Sequence, residues 1–225
     1  MVEFNPAEIE ADVSDAGLVS FGWIVPDRDD LAGLSIELPE QISLLLLGNA
    51  GADMWQRFSD EADHHGQSLD HWCRATIGSI ADNFQARAFY PFEKPHLPFQ
   101  RWAVQSGSFF KSPLGLTIHP EYGLWHGFRG ALLFANGYDI SSVEPQVSPC
   151  RSCVDRPCLT SCPVNAFSGE EYDVPACVEH LKTRDTTNCL QSACAARRGC
   201  PIGKDYTYAK SQATFHMASF MRSFS

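Results

Sequence analysis

The chain has 225 residues, 44% of them apolar, and a mean hydropathy of −0.19. That is enough to bury a core as one or two domains, and its apolar runs fall far short of the ~20 residues a membrane-spanning helix needs. The net charge of −10 is concentrated in the first third, where residues 1–70 carry 15 acidic and 2 basic side chains; no nucleic-acid partner is expected of such a surface, because nucleic acid is bound through Lys and Arg on phosphates.

Asn5 and Pro6 open a helix over residues 7–16, Asn as N-cap and Pro in the first turn, and Gly17 stops it. A β-like run at 18–25 ends at Pro26, and the acidic segment 27–40 reads as a loop. Residues 42–47 are apolar enough for a strand buried on both faces. Gly48-Asn49-Ala50-Gly51 then reads as a turn into a helix over 53–61. A phosphate can sit at such a helix N-terminus, although the third glycine of a dinucleotide fingerprint and the Lys of a P-loop are both missing. A second helix is predicted over 69–84, burying Trp72, Ile77 and Ile80, with Cys73 as an inert core thiol.

Residues 88–101 mix prolines with aromatics and read as irregular. Residues 114–118 and 130–134 read as paired strands, joined through the turn chemistry of His119-Pro120-Glu121-Tyr122-Gly123. His119, Tyr122, Trp125, His126 and Arg129 gather around that turn. Packing explains such residues, and polar-tipped aromatics with an Arg also grip a planar or amphipathic cofactor; both readings stand.

Eight of the nine cysteines fall within residues 150–200: Cys150, Cys153, Cys158, Cys162, Cys177, Cys189, Cys194 and Cys200. The first four are spaced C-x2-C-x4-C-x3-C and followed by Pro163, close to the C-x2-C-x2-C-x3-C-P run of two-cluster ferredoxins. In that run the fourth Cys ligates the other cluster. The same exchange here puts Cys150, Cys153, Cys158 and Cys200 on one [4Fe–4S] cluster and Cys162, Cys177, Cys189 and Cys194 on the other. Cys200 is followed by Pro201 as Cys162 is by Pro163.

Two other readings compete. Disulfides suit an even cysteine number in an oxidising compartment, but the opening Met1-Val2-Glu3-Phe4 is acidic where a signal peptide is basic. A cytoplasmic location, where thiols stay reduced, is expected instead. Two structural zinc sites would also take four thiolates each; the C-x3-C-P ending and the single C-x2-C pair stand against them.

The cysteine set, with Cys177-Val178-Glu179-His180-Leu181 between its halves, resembles the dicluster domain of epoxyqueuosine reductases and reductive dehalogenases. Pro120, Gly123 and Trp125 match an N-P-x-x-G-x-W-type segment that those proteins carry just upstream. The resemblance implies an α/β sandwich at the N-terminus, related to flavin nitroreductases and to the cobalamin-processing protein. It also implies cobalamin, or else FMN, beside the first cluster.

The expected architecture is therefore an α/β (α+β sandwich, nitroreductase-like) domain over residues 1–145 and a ferredoxin-like dicluster module over 146–225, closed by a C-terminal helix. The expected function is a reductase in which an electron-donor protein, a reductase, ferredoxin or flavodoxin, feeds two [4Fe–4S] clusters and they feed the corrinoid or flavin. A dicluster electron carrier with a non-catalytic docking domain is the alternative. No residue is assigned as a catalytic acid, and no membrane partner is expected.

Overall fold

The computed structural model describes residues 5–34, 36–65, 68–135, 137, 146–183 and 185–224. It is a mixed α/β chain that divides into two compact units, Met1–Ser108 with His126–Gln146, and Phe109–Trp125 with Val147–Ser225. The boundary expected near 145 lies outside the described residues, and the segment 109–125 packs with the cysteine-rich unit.

The first unit opens with helix α1 (Pro6–Asp15), capped by Asn5, whose side chain accepts a hydrogen bond from the Ala7 amide at 3.0 Å. Strand β1 (Val19–Ile24) follows, then the short helix α2 (Arg28–Leu31) within the acidic segment, strand β2 (Ser43–Ala50), and helices α3 (Asp53–His65) and α4 (Leu69–Asn83). Strand β3 (Arg87–Phe89) and helix α5 (Phe99–Gln105) take up only the two ends of the stretch read as irregular, and residues 90–98 between them have neither helix nor strand. Strands β4 (Phe110–Lys111) and β5 (Thr117–Ile118) belong to the second unit, and β6 (His126–Phe134) returns to the first. The sheet is antiparallel in the order β1-β2-β6-β3. Leu44 to Leu47 on β2 have no exposed surface, as an unbroken apolar run on a central strand requires. In α4, Trp72, Cys73, Ile77 and Ile80 are buried.

Two local expectations are corrected. Gly48, Asn49 and Ala50 are not a turn; they extend β2, which keeps pairing with β6 as far as Ala50↔His126. Gly48 is there for close approach, since a Cβ on it would overlap the Phe21 ring and the Gly127 carbonyl. The turn into α3 is confined to Gly51 and Ala52. The segments 114–118 and 130–134 also do not pair with each other: β5 pairs with β4, whereas 130–134 pair with β2 and β3.

In the second unit the β4–β5 hairpin leads into the His119 turn, closed by a bridge between His119 and Gly123. A 3-10 turn (Pro149–Arg151), helices α6 (Pro157–Thr160), α7 (Val174–Thr183), α8 (Cys189–Ser192) and α9 (Ala195–Gly199), a second 3-10 turn (Lys204–Tyr206) and the closing helix α10 (Lys210–Arg222) follow. Its core joins Leu114, Ile118 and Leu124 from the hairpin segment to Cys158, Cys162, Ala166, Ala196 and Cys200. Among the described residues no helix is long and apolar enough to cross a membrane.

Candidate functional site

The cysteines divide between two cavities of the second unit. Cys150, Cys153, Cys158 and Cys200 line one, with Ser112, Ile118, Leu124 and Arg156. Cys162, Cys177, Cys189 and Cys194 line the other, with Phe167, Tyr172 and His180. This is the partition that the spacing and the exchanged fourth cysteine predict. The first set closes on a space of about 20 Å³, while the second surrounds an almost wholly apolar cavity of about 330 Å³.

Short helices position these thiols, and their starts carry unusual backbone. Arg156 (φ 40°), just before α6, lies in the left-handed region, as does Asn188 (φ 57°), just before Cys189. Ala193, just before Cys194, has φ 67° and ψ 168°, a combination that is essentially glycine's own. Of the five described non-glycine residues with positive φ, four lie between positions 156 and 193. Each such residue costs of order 1–3 kcal/mol and persists only where its surroundings over-determine it, which is typical of ligand-holding loops.

The electrostatics follow the same division. Burial pushes the Cys150 and Cys158 thiols up, and the neighbouring Cys200 and Cys153 raise both further. Burial does the same to Cys177, which Cys162 and Cys189 raise further, and to Cys194, raised further by Cys189 and Cys177. Four thiolates at such close quarters repel one another unless a cationic group sits among them. Donors already point at the sulfurs: the Ala166 amide to Cys162 Sγ at 3.4 Å, and the Ala195 amide to Cys189 Sγ at 3.3 Å. The Asp185 carboxylate accepts from the Cys189 and Leu190 amides at 2.7 and 2.8 Å, which fixes the start of α8. Among the described residues neither cavity is lined by a carboxylate, so sulfur dominates both donor sets, the ligand type that soft metals prefer. Among the described residues no three His, Cys, Asp or Glu side chains converge as one metal ion would require.

The residues predicted to grip an organic cofactor fall in different units. His119 accepts the Glu121 and Tyr122 amides at Nδ1 (3.1 and 3.3 Å) and stacks on the Tyr122 ring at 4.3 Å, so it organises its own turn. Trp125 is 1% exposed and meets the Tyr208 ring edge-on at 5.4 Å, and the Arg197 guanidinium lies over both rings, 4.7 Å from the first centroid and 4.5 Å from the second. His126 and Arg129 stand on β6 in the first unit. There Arg129 donates from Nε to the buried Asn49 at 2.8 Å and lines a cavity of about 190 Å³ with Asp70, Cys73 and Phe128. Sequence reasoning gave no role to Arg197, Asp185 or His180. His180 alone had a local signal, as it stands one helical turn after Cys177.

No protein-family model matches the chain, and no curated protein matches it in sequence. Its fold does match solved structures. A B12-trafficking protein CblC from C. elegans, described as a homologue of human MMACHC, superposes with a TM-score of 0.55 at 14% identity, over 94% of this chain and 91% of that one. Epoxyqueuosine reductase from Bacillus subtilis superposes with a TM-score of 0.52 at 14% identity, over 92% and 68%. An epoxyqueuosine reductase solved with a tRNA-Tyr epoxyqueuosine-modified stem loop gives 0.51 at 14% identity, over 92% and 68%. The resemblance read from the cysteines and the His119 turn is thus matched in the fold: this chain is similar in structure to epoxyqueuosine reductases and to CblC.

Proposed function

We propose that the chain is an iron–sulfur oxidoreductase whose two cysteine sets each hold a [4Fe–4S] cluster, and whose first unit holds a corrinoid or flavin as electron acceptor. The observation that carries this reading is the partition of eight thiols into two closed sets of four, each lining its own cavity. When bound, the clusters would supply one-electron transfer at potentials tuned by their surroundings.

The chain's own contribution is to hold and charge the sulfurs. Residues Arg156, Asn188 and Ala193 turn the backbone ahead of their neighbouring cysteines, and the Ala166 and Ala195 amides donate to the sulfurs of Cys162 and Cys189, which fixes where those sulfurs stand. A single tetrahedral ion would draw four sulfurs to ~2.3 Å from one point; the sulfurs that ring the 330 Å³ cavity suit a group with several metal corners. The likeness to CblC and to epoxyqueuosine reductase favours a corrinoid over FMN. An electron-donor protein of the ferredoxin, flavodoxin or reductase class completes the reading.

The test is composition. Purified without oxygen, the protein is expected to carry about eight iron and eight acid-labile sulfide per chain, four of each per cluster; two zinc and no sulfide would overturn the reading. Hydroxocobalamin, FMN or FAD is then added and the retained cofactor measured after desalting. Retention of none, with iron intact, favours the plain electron carrier.

A further inference from the structure

His180 lies on α7 one turn after Cys177, with its side chain 8% exposed. Its Nε2 is buried and has no hydrogen-bond partner. The residue lines the 330 Å³ cavity together with Cys162, Cys177, Cys189 and Cys194. Asp185 Oδ1 is 3.8 Å away, beyond hydrogen-bonding reach, and already accepts from the Cys189 amide. A buried polar nitrogen left unpaired is costly, so the imidazole is poised for a partner from within the cavity. The first cavity has no counterpart: its lining holds no histidine.

We propose that His180 donates its Nε2–H to a sulfur of the metal group held by Cys162, Cys177, Cys189 and Cys194, and so makes that site easier to reduce. This rests on the cluster reading above. Reduction adds one electron and therefore one negative charge to the group. A fixed N–H dipole aimed at its sulfur stabilises the more negative state, in keeping with the control of cluster potential by hydrogen bonds to sulfur. The proton stays on the imidazole, and no bond is made or broken.

The experiment is a potentiometric titration with dithionite, followed by electron paramagnetic resonance, on full-length wild type, His180→Leu and His180→Gln, with iron and sulfide measured on the same samples. Wild type without iron and sulfide would defeat the cluster reading itself, and this proposal with it. With about eight iron per chain present, His180→Leu is expected to move the potential of one site downward and leave the other in place. His180→Gln, which keeps an N–H, should shift it less. Unmoved potentials in His180→Leu at full iron content would overturn the proposal and leave the cluster reading standing. Loss of half the iron in both variants would also overturn it, since His180 would then be holding metal or fold.

Discussion

Gly123 and Ile202 meet backbone to backbone: a Cβ on Gly123 would overlap the Ile202 carbonyl, and one on Gly203 would overlap the carbonyl of Tyr122. Both glycines have positive φ, +57° and +74°. The His119 turn is thereby pressed onto the loop that leaves Cys200, so the HPEYG segment braces the first cysteine set.

Replacing Gly123 by Ala should therefore displace Cys200. Iron is expected to fall from about eight to about four per chain, with the second set still loaded. Gly115→Ala is the control, because Gly115 shares the positive φ (+74°) but has nothing within 4 Å of a new Cβ. It should cost only about 1 kcal/mol of stability and no iron.

The pairing of cysteines can be read from non-additivity. Cys200→Ala alone should remove about half the iron. Adding Cys150→Ala should remove little more, since both belong to one set, whereas adding Cys177→Ala should remove the rest. Iron assays on the three proteins give the answer; any other pattern means that the sets are drawn wrongly.

Arg197 is expected to be a stability residue of the second unit. Its guanidinium lies over both the Trp125 and Tyr208 rings, and its Nε donates to the Leu124 carbonyl at 2.7 Å. Lysine cannot reproduce that planar fit. Arg197→Lys should lower stability by about 1–2 kcal/mol, seen as a drop in Tm.

Cys73 offers a pH-dependent readout. Burial pushes its thiol up to about 11 from the ordinary 9.0. The folded state therefore holds this proton more tightly, and the associated stability is complete below pH ~9 and lost as pH rises towards ~11. Unfolding measured from pH 8 to 11 should fall more steeply for wild type than for Cys73→Val. At pH 8 the native thiol should resist alkylation until the unit unfolds.

What the sequence revealed was local. Asn5 as a cap, helix α4 with its buried Trp72 and Ile77, and the double-faced burial of Leu44–Leu47 depend on neighbours within a turn or a strand, and the structure has them all. The grouping of cysteines was read from likeness to the two-cluster ferredoxin run, in which the fourth cysteine is exchanged, and the same two sets line separate cavities. Gly48 was misread because a glycine most often signals a turn, whereas the rings and carbonyls that demand it here come from Phe21 and Gly127, far along the chain. The exchange of strand partners, β5 with β4 rather than with β6, was hidden for the same reason: both candidates had the right pattern. Arg197 gave no sign of its role, as Trp125 lies 72 positions away.

The route of the chain bears on when the cysteine-rich unit can exist. Its core needs Leu114, Ile118 and Leu124 from the hairpin segment as well as Ala196 and Cys200 from near the far end. On the ribosome the hairpin segment emerges first, then all of β6, and only much later the residues it must cover. A fragment beginning at 146 would carry every one of the eight clustered cysteines and none of those three apolar side chains, and it should emerge as a sticky, oxidation-prone polypeptide. Metal loading should accordingly be a late, post-translational event, and dissecting this protein into halves at its cysteines would cut through the wrong seam.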